Sequence, residues 1–391
     1  MSGSITPPAP TFSRDELLRY SRQLIMPEVT VAGQRRLQQA RVLCVGAGGL
    51  GSPLALYLAA AGVGRLGLVD GDTVDLTNLQ RQTLYATADV GRPKLEAARA
   101  RLSALNPEIT VVPHALRLVS ANALELLRDY DVIADGSDNF ATRYLVNDAA
   151  VLLGKPNVSG SVYRFAGQLS VFHPGRGPCY RCLFPEPPPP GLVPSCAESG
   201  VLGVLPGIIG SLQALEVLKL LLGQGEPLIG RLLLFDGLGA RCRELSFERN
   251  PACALCGDAP TIKAPCDHDE ARCARPPPSG AGEREAVARY SVEEFHARRL
   301  AGEPDALLDV REPHEHQLVS LPGAVLLPLG ELPARLHELA ATRGYVIYCH
   351  RGARAERAYG LLRQAGFSGL RVLTGGIDAW ATRIDPSLPR Y

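Results

Sequence analysis

The sequence has no bulk charge of either sign, no uninterrupted apolar run and no leader-like start, and each absence removes a class of protein. Its 391 residues include 41 Lys plus Arg and 40 Asp plus Glu, a formal net charge of +1. This balance gives no general attraction to nucleic acid or to an anionic membrane. The most apolar stretch, 205–222, is interrupted by Gln213, Glu216 and Lys219, so we predict that it does not span a bilayer. Residues 1–11 lack the apolar segment of a signal peptide, and we therefore expect a cytoplasmic protein.

Cysteine is present ten times, and its use bears on the chemistry. Without a secretion signal, reduced thiols in metal-binding or catalytic roles are expected before disulfides. Cys44 and Cys242 lie in strand-like apolar runs and are expected in the core. The chain is long enough for two or three domains.

In the stretch 41–51, RVLCVGAGGLG, residues 41–45 predict a buried parallel strand, which is followed by a glycine turn and a helix N-terminus. Such a unit points backbone N–H groups at a phosphate. Asp70, at the end of the next predicted strand, can reach a ribose hydroxyl. Strands and helices alternate onward to 153, which predicts a Rossmann-like open α/β sheet. These residues alone fit NAD as well as ATP, and glycines that only permit tight helix–strand packing are the structural alternative.

Polar residues follow the later strands and favour a triphosphate. Asn78 and Arg81 lie in a polar loop, Lys94 opens a helix, and Asp138 and Asn139 follow a strand. A dinucleotide pyrophosphate needs few cations, whereas Arg81 and Lys94 suit a departing pyrophosphate, with Asp138 available to Mg²⁺. A solvated polar loop is the alternative for such residues.

The motifs GAGGLG, VDGDTVDLTNLQRQ, VGRPK and GSDN, in this order, strongly resemble the MoeB/ThiF family of ubiquitin-activating-like adenylyltransferases, over about 19–257. The resemblance implies that Arg22 reaches the triphosphate from the second subunit of a homodimer. It implies that the acyl acceptor of AMP is the Gly-Gly carboxylate of a small ubiquitin-fold sulfur carrier (MoaD/ThiS-like), with Arg81 and Asp138 in catalytic roles. The remaining residues implied to bind ATP and Mg²⁺, together with these, are Gly49, Asp70, Thr77, Asn78, Leu79, Gln80, Lys94 and Asn139.

Two C-x₂-C pairs, Cys179 with Cys182 and Cys253 with Cys256, can each present two thiolates to one tetrahedral Zn²⁺. The long gap between the pairs requires that the fold bring them together, and buried unpaired cysteines are the alternative. The MoeB/ThiF family has the same pairs, and we predict a four-thiolate structural zinc site.

Other cysteines carry weaker signals. Cys196 follows a proline-rich segment that should form an exposed loop, where a thiol could exchange acyl or persulfide groups. In the family that the chain resembles, eukaryotic members with a sulfurtransferase domain use a cysteine here, whereas bacterial adenylyltransferases manage without it, so a catalytic role of Cys196 is left open. Cys266, His268 and Cys273 belong to the Pro- and Gly-rich stretch 258–286, which we interpret as a linker. Their irregular spacing favours no metal site.

A second α/β unit is predicted over 287–391, with Cys349 as its nucleophile. Cys349 lies between a predicted strand and a helix N-terminus in CHRGAR, where the helix dipole, backbone donors and two arginines favour a thiolate. Four residues separate Cys349 from Arg354, one fewer than in a tyrosine-phosphatase loop, which suits sulfane sulfur better than phosphate. DVRE (309–312), the Cys349 loop and GGIDAW (375–380) resemble the rhodanese family. Rhodanese loops often have Arg second, where this loop has His350, so the sulfur donor is not specified.

The whole chain resembles fused MoeB–rhodanese proteins, with an adenylation domain over 1–257, a linker over 258–286 and a rhodanese domain over 287–391. We expect ATP-dependent adenylation of a carrier, then sulfur transfer from a Cys349 persulfide held at high effective concentration in the same polypeptide. Molybdopterin biosynthesis is the first pathway considered, with tRNA thiolation, thiamin or cysteine synthesis as alternatives. An NAD-dependent redox enzyme and a non-catalytic scaffold are the rival interpretations.

Overall fold

Five parallel strands, continued by three antiparallel strands, form the large sheet that lies before residue 268. The computed structural model describes residues 12–188, 200–267, 287–302 and 306–391, which form two units, each described by itself. The strands of the first unit are β1 Arg41–Val45, β2 Arg65–Val69, β3 Thr110–His114, β4 Val132–Asp135, β5 Asn157–Tyr163, β6 Ala166–Phe172, β7 Arg231–Asp236 and β8 Arg241–Ser246. They are ordered β3-β2-β1-β4-β5-β6-β7-β8. The order reverses between β1 and β4, and α/β sheets bind ligands in the crevice at such a point.

Alternating side chains on β1 pack into two different hydrophobic cores of this unit. Val42 and Cys44 pack in one core and Leu43 and Val45 in the other, and all four are buried. Each fully buried aliphatic side chain contributes about 2 kcal/mol through the hydrophobic effect. Helices cover both faces: α1 Arg14–Arg19, α2 Ser21–Leu24, α3 Thr30–Gln39, α4 Gly51–Ala61, α5 Lys94–Leu105, α6 Ser120–Arg128, α7 Phe140–Leu152, α8 Tyr180–Leu183 and α9 Val204–Leu222, with 3₁₀ turns at Leu76–Asn78 and Thr87–Asp89.

The first helix is shorter than the sequence predicts. The capping box is present, because Ser13 Oγ accepts from Glu16 N and Glu16 Oε2 accepts from Ser13 N. The capping-box sequence SRDE (13–16) predicts a single helix that continues to Arg22, but α1 ends at Arg19, with Tyr20 as its C-cap. The Tyr20 ring is buried and its hydroxyl accepts from Asn106 Nδ2 at 2.9 Å, so a contact 86 residues away fixes the break.

The two cysteines expected in the core differ in their surroundings. Cys44 is fully buried, which confirms the prediction for that residue. Cys242 is exposed, and the prediction for it is wrong. It lies on β8, which pairs only with β7 at the edge of the sheet and has six exposed residues.

Helix α9 alone, among the described residues, is long and apolar enough to cross a membrane by length and composition. Its polar residues instead bind the sheet and the loop after the helix. Gln213 Nε2 donates to the carbonyl oxygens of Asp135 and Val158 at 2.8 and 3.1 Å, and Glu216 Oε2 accepts from Leu228 N. These contacts are those of a helix that packs against a sheet inside a folded unit.

The second unit is a smaller α/β layer structure built on a parallel sheet. Its strands are β9 Arg289–Tyr290, β10 Ala306–Asp309, β11 Ala324–Leu326, β12 Tyr345–Tyr348 and β13 Leu370–Leu373. They are ordered β11-β10-β12-β13-β9, which places β12 at the centre. Its helices are α10 Val292–Leu300, α11 Pro313–Leu318, α12 Leu332–Arg335, α13 Ala353–Gln364 and α14 Gly376–Arg383, with a 3₁₀ turn at Leu336–Glu338. The predicted α/β class is confirmed for both units.

Candidate active sites and metal centre

The glycine turn between β1 and α4 combines close packing with an open face. Gly46 has φ +89°, a conformation that favours glycine, and a Cβ on Gly51 would lie 1.9 Å from the Gly46 carbonyl oxygen. Gly46, Gly48 and Gly49 line a cavity, and Gly51 does not. Part of the glycine pattern is therefore required for packing, and the rest leaves backbone accessible at the start of α4.

The cavity lies at the carboxyl ends of β1 and β4, where the strand order reverses. Its volume is about 240 Å³. Its position is the one at which open α/β sheets bind nucleotides. Six of the residues predicted for ATP and Mg²⁺ line it: Gly49, Asp70, Arg81, Lys94, Asp138 and Asn139. The Asn139 side chain also caps α7, because its Oδ1 accepts from Thr142 N at 2.8 Å.

Lys94 is almost entirely buried at the wall of this cavity and is held by two carboxylates. Its Nζ lies 2.8 Å from Asp72 Oδ2 and 3.8 Å from Asp70 Oδ1. Asp70 Oδ2 in turn accepts from Ala47 N at 3.0 Å, which ties β2 to the glycine turn. A phosphate that enters the cavity therefore meets a fixed cation whose charge the carboxylates partly neutralise.

The residues before Arg81 form a support for it and do not line the cavity. Asp75 Oδ1 accepts from Thr77 N at 2.8 Å, and Asn78 Oδ1 accepts from Asp75 N at 3.2 Å. Arg81 Nη1 donates to the Thr77 carbonyl oxygen at 2.9 Å. Thr77 and Asn78 thus belong to the 3₁₀ turn that precedes Arg81 and orients it, and their predicted role in nucleotide binding stays a prediction.

Three other predicted residues also lie outside the cavity lining. Leu79 packs against the hydrophobic core, and the Gln80 carbonyl oxygen lies against Gly203, where a Cβ would come within 2.0 Å of it. Arg22 is exposed on α2.

The cavity residues that were not singled out from the sequence include Gln82, Arg117 and Ser137. Gln82 is buried, and its Oε1 has no hydrogen-bond partner among the described residues. An unpaired buried acceptor costs about 1–3 kcal/mol, so this atom indicates a donor on a bound ligand. Arg117 follows β3 at the carboxyl edge of the sheet. Polar residues at this edge often bind ligands, and the same position that predicted Asp138 would also predict Arg117.

The two C-x₂-C pairs meet in one cluster. The Sγ–Sγ distances are 3.9 Å for Cys179–Cys182, 3.7 Å for Cys179–Cys253 and 3.3 Å for Cys182–Cys256, and all four sulfurs lie within 4.8 Å of one another. Thiolates about 2.3 Å from a tetrahedral Zn²⁺ are about 3.8 Å apart, so the cluster fits zinc with small adjustments. Burial raises the pKa of Cys179, and that of Cys256 to about 11. A cation bound among the sulfurs would lower the pKa of both thiols, so that Cys179 and Cys256 would be thiolates at neutral pH.

Helix α7 positions the first of these pairs. Asn147 Oδ1 accepts from Tyr180 N at 2.8 Å. Asp148 binds Arg181 through two contacts of 2.7 and 2.8 Å, in a buried ion pair. The residues between Cys179 and Cys182 are therefore fixed to the sheet-packed body of the unit.

Cys349 follows β12 directly and precedes α13, as predicted. It is buried, and Gly352 N donates to its Sγ at 3.1 Å. Gly352 has φ +121°, a conformation that glycine accepts readily. The sulfur thus receives a backbone donor at the start of a helix, an arrangement that stabilises negative charge on sulfur.

The two arginines of this loop are held by carboxylates. Arg354 donates to both carboxylate oxygens of Glu315, and its Nη2 lies 2.7 Å from Oε1. Arg351 is exposed, with Nε 3.5 Å from Asp378 Oδ2. Both were expected to favour a thiolate, and the structure gives each a carboxylate partner.

The remaining cysteines and the histidine singled out from the sequence lie at or beyond the edges of the described residues. Cys196, His268 and Cys273 lie outside the described residues. Cys266 is exposed. Its neighbour Asp267 accepts from Ser120 N and Ser120 Oγ at 2.7 and 2.6 Å, so the chain still contacts the first unit at this point.

Comparison with known proteins identifies similarities over both units. Residues 20–255 match the ThiF family, and residues 291–383 match the Rhodanese-like domain. The chain is 58% identical over 263 residues to a sulfur carrier protein adenylyltransferase of Thermus thermophilus, covering 66% of this chain and 97% of that protein. It is 45% identical over 410 residues to adenylyltransferase and sulfurtransferase MOCS3 of Sus scrofa, covering 98% of this chain and 90% of that protein.

Among solved structures, the fold resembles Escherichia coli MccB bound to MccA-N7isoASN. The TM-score is 0.56 at 24% identity, covering 61% of this chain and 75% of the other. At this identity the likeness concerns the fold alone.

Proposed function

Because this chain belongs to the ThiF family and carries a rhodanese-like domain, we propose that it adenylates the C-terminal Gly-Gly carboxylate of a ubiquitin-fold sulfur carrier and converts it to a thiocarboxylate. The chain is an adenylyltransferase with a sulfurtransferase domain, and it catalyses adenylation and sulfur transfer. The carrier is proposed because the Thermus thermophilus relative is named a sulfur carrier protein adenylyltransferase.

The cavity at the β1–β4 crevice is the observation that supports ATP chemistry. It combines accessible glycine backbone with Lys94, Arg81 and the unpaired acceptor of Gln82. In the proposed reaction a carrier carboxylate oxygen attacks the α-phosphorus of ATP, and pyrophosphate leaves as the bond to the α-phosphorus breaks. Arg81 and Lys94 stabilise the charge that develops on the departing pyrophosphate.

Mg²⁺, which would neutralise phosphate charge, fits beside Asp138, an exposed carboxylate at the cavity wall. Asn139 lines the same cavity and is proposed to contact the nucleotide, and Thr77, Asn78, Leu79 and Gln80 are proposed to act on the nucleotide from the loop that leads to Arg81. Zinc at the four cysteines is structural, because four thiolates leave no open position for chemistry.

Sulfur transfer is assigned to Cys349. A sulfane donor gives its outer sulfur to the Cys349 thiolate, and the terminal sulfur of this persulfide attacks the acyl carbon of the adenylate. AMP leaves, and a thiol reductant cleaves the resulting acyl disulfide to release the thiocarboxylate. The backbone donor from Gly352 supports the sulfur anion in the first step.

We further propose a cytoplasmic homodimer in which Arg22 completes the partner's ATP site, since Arg22 is exposed and lies outside the lining of its own cavity. The proposed domains are 1–257, a linker over 258–286, and 287–391. Molybdopterin synthesis is the proposed pathway, with tRNA thiolation, thiamin and cysteine synthesis as alternatives, and copurification of the chain with its carrier decides among them.

Carrier-dependent exchange of labelled pyrophosphate into ATP tests the proposed function. We expect exchange only with a carrier that ends in Gly-Gly, and none with a carrier that lacks these glycines. A scaffold would bind the carrier without exchange. A redox enzyme would bind NADH and show no exchange with any carrier.

A further inference from the structure

The side chain of Tyr391 contacts the Cys349 loop on one side and its supporting carboxylate on the other. Its ring stacks on His350, the residue after the nucleophile, with ring centroids 4.5 Å apart and an interplanar angle of 12°. Its hydroxyl lies 3.0 Å from Glu315 Oε1, and the same carboxylate binds Arg354 at the far end of the loop. One side chain therefore connects the second and sixth positions of CHRGAR.

The ring of His350 is buried where it meets Tyr391. The residue is 2% exposed, and neither ring nitrogen has a hydrogen-bond partner among the described residues. Burial and the nearby charge of Arg351 lower the pKa of His350, so the ring is neutral at pH 7. A neutral ring that forms no hydrogen bonds is held by packing, and Tyr391 provides the aromatic face against which it packs.

The hydroxyl of Tyr391 is fixed from the opposite side by the body of the unit. Arg311 Nη1 donates to it at 2.7 Å, and Arg311 is fully buried. Arg311 also binds both oxygens of Asp309, at the end of β10, at 2.9 and 2.6 Å. The ring that touches the loop is thus anchored to the central sheet through charged, buried groups.

A second contact joins the same segment to the loop. Asp378 Oδ1 accepts from Arg390 Nε at 3.0 Å, while Asp378 Oδ2 lies 3.5 Å from Arg351 Nε. Residues 390 and 391 therefore contact the second position of the loop directly and the third and sixth through carboxylates.

We propose that Tyr391 is a positioning residue for the Cys349 loop, holding it in the conformation in which Gly352 N donates to sulfur. The proposal rests on the function assigned to Cys349. Without the Tyr391 ring, His350 loses its stacking partner and its end of the loop is released. Without the hydroxyl, Glu315 and Arg311 each lose a partner, and the Arg354 end is held less firmly. In both cases the backbone donor no longer stays directed at the sulfur.

The test compares Tyr391→Ala and Tyr391→Phe in the full chain, with thiosulfate as donor and cyanide as acceptor. We expect Tyr391→Ala to lower kcat roughly tenfold or more while KM for thiosulfate changes less, because misplacement of a reacting group mainly affects the chemical step. The pH profile of Cys349 alkylation by iodoacetamide should shift to higher pH, because the thiolate loses a donor. Tyr391→Phe keeps the stacked ring and should fall between wild type and Tyr391→Ala in both measurements.

Tyr345→Phe is the matched control. It removes another buried tyrosine hydroxyl, which accepts from Ala340 N at 3.0 Å at the opposite end of β12. It should lower stability without moving the alkylation profile. If Tyr391→Ala does not fold, the alkylation profile of Tyr391→Phe decides the question.

Wild-type alkylation and kcat in the folded Tyr391 variants would overturn the proposal, as would an equal shift in Tyr345→Phe. Failure of the underlying assignment has a different signature, since Cys349→Ala would then still transfer sulfur from thiosulfate to cyanide.

Discussion

The sulfur atoms of Cys182 and Cys256 lie 3.3 Å apart although 74 residues separate them in the chain. The chain between them includes β7 and β8. Cys182 itself lies on α8, which the Arg181–Asp148 ion pair holds against α7. The cluster therefore joins two distant segments of the first unit. A metal bound there stabilises the folded chain, because the unfolded chain does not bring the pairs together.

Zinc analysis checks this site directly. Protein purified without chelator should contain about one zinc ion per chain, the stoichiometry of a four-thiolate site. Cys253→Ser should lose the metal and unfold at a lower temperature, because the remaining three cysteines bind zinc more weakly. Cys242→Ser is the control, since that cysteine is exposed on β8 and should change neither quantity. Absence of metal from the wild-type protein would refute the assignment.

Arg81→Ala should lower carrier-dependent pyrophosphate exchange by roughly 10²–10³-fold, the usual effect of removing a group that stabilises transition-state charge. Arg81 lines the cavity and is directed by its bond to the Thr77 carbonyl oxygen. Arg92→Ala serves as control, because Arg92 is bound to Asp89 outside the cavity lining and should exchange at the wild-type rate. Undiminished exchange in Arg81→Ala would show that the phosphates bind elsewhere.

Features of the first unit that depend on neighbouring residues in the sequence were predictable, and features that depend on contacts between distant residues were not. Strand β1 was predicted with its observed bounds, and the glycine turn with its place between β1 and α4, because both depend on residues adjacent in sequence. The unpaired acceptor of Gln82 could not be predicted, since it follows from packing. The break at Tyr20 depends likewise on Asn106, and the exposure of Cys242 depends on β8 lying at the sheet edge. Contacts between residues that are distant in the sequence produce no periodic pattern from which they could be predicted.

Arg22 provides a test of the proposed homodimer. Arg22→Ala and Asp138→Ala should each be inactive in exchange, since one removes a cation supplied across the dimer and the other the Mg²⁺ ligand. Mixing the two variants under subunit exchange should restore partial activity, because a heterodimer contains one site with both residues. Heterodimers that are demonstrated by mass but remain inactive would argue against a shared site.

Glu315 should make the second unit sensitive to acid. Burial opposes ionisation of Glu315, but Arg354 and its other hydrogen-bond partners lower its pKa from 4.5 to about 2. A carboxyl whose pKa is lower in the folded state stabilises that state above its unfolded pKa, and this stabilisation is lost as pH falls from about 4.5 to about 2. A shift of this size corresponds to stabilisation on the order of 3 kcal/mol.

Trp380 allows this to be measured, because it is the single tryptophan of the sequence and lies buried in the second unit. Urea unfolding followed by its fluorescence should show that Glu315→Gln is less stable than wild type at pH 7. The difference should shrink as the pH falls below about 4.5. Parallel stability curves for the two proteins between pH 5 and pH 3 would contradict the role given to Glu315.

Cys349→Ala should separate the two halves of the chemistry. Sulfur transfer from thiosulfate should be abolished, because Cys349 carries the sulfur that receives the Gly352 backbone donor. Carrier-dependent pyrophosphate exchange should stay near the wild-type rate, because Arg81, Lys94 and Asp138 belong to the other unit. Added sulfide should then restore thiocarboxylate formation in the variant, by attacking the acyl adenylate directly and displacing AMP.

Mass spectrometry decides which thiol carries the sulfur. Wild-type protein treated with thiosulfate should gain one sulfur atom on the peptide that contains Cys349, and brief treatment with cyanide should remove it. Cys196, whose sequence context permits the same chemistry, is the competing residue, so Cys196→Ser is the matched variant and should keep full transfer to cyanide. If the added sulfur is found on Cys196 and Cys349→Ala retains full transfer, the nucleophile is Cys196 and not Cys349. The rhodanese-like domain would then serve to dock a sulfur donor, and the stacked His350 and Tyr391 rings would belong to a binding surface.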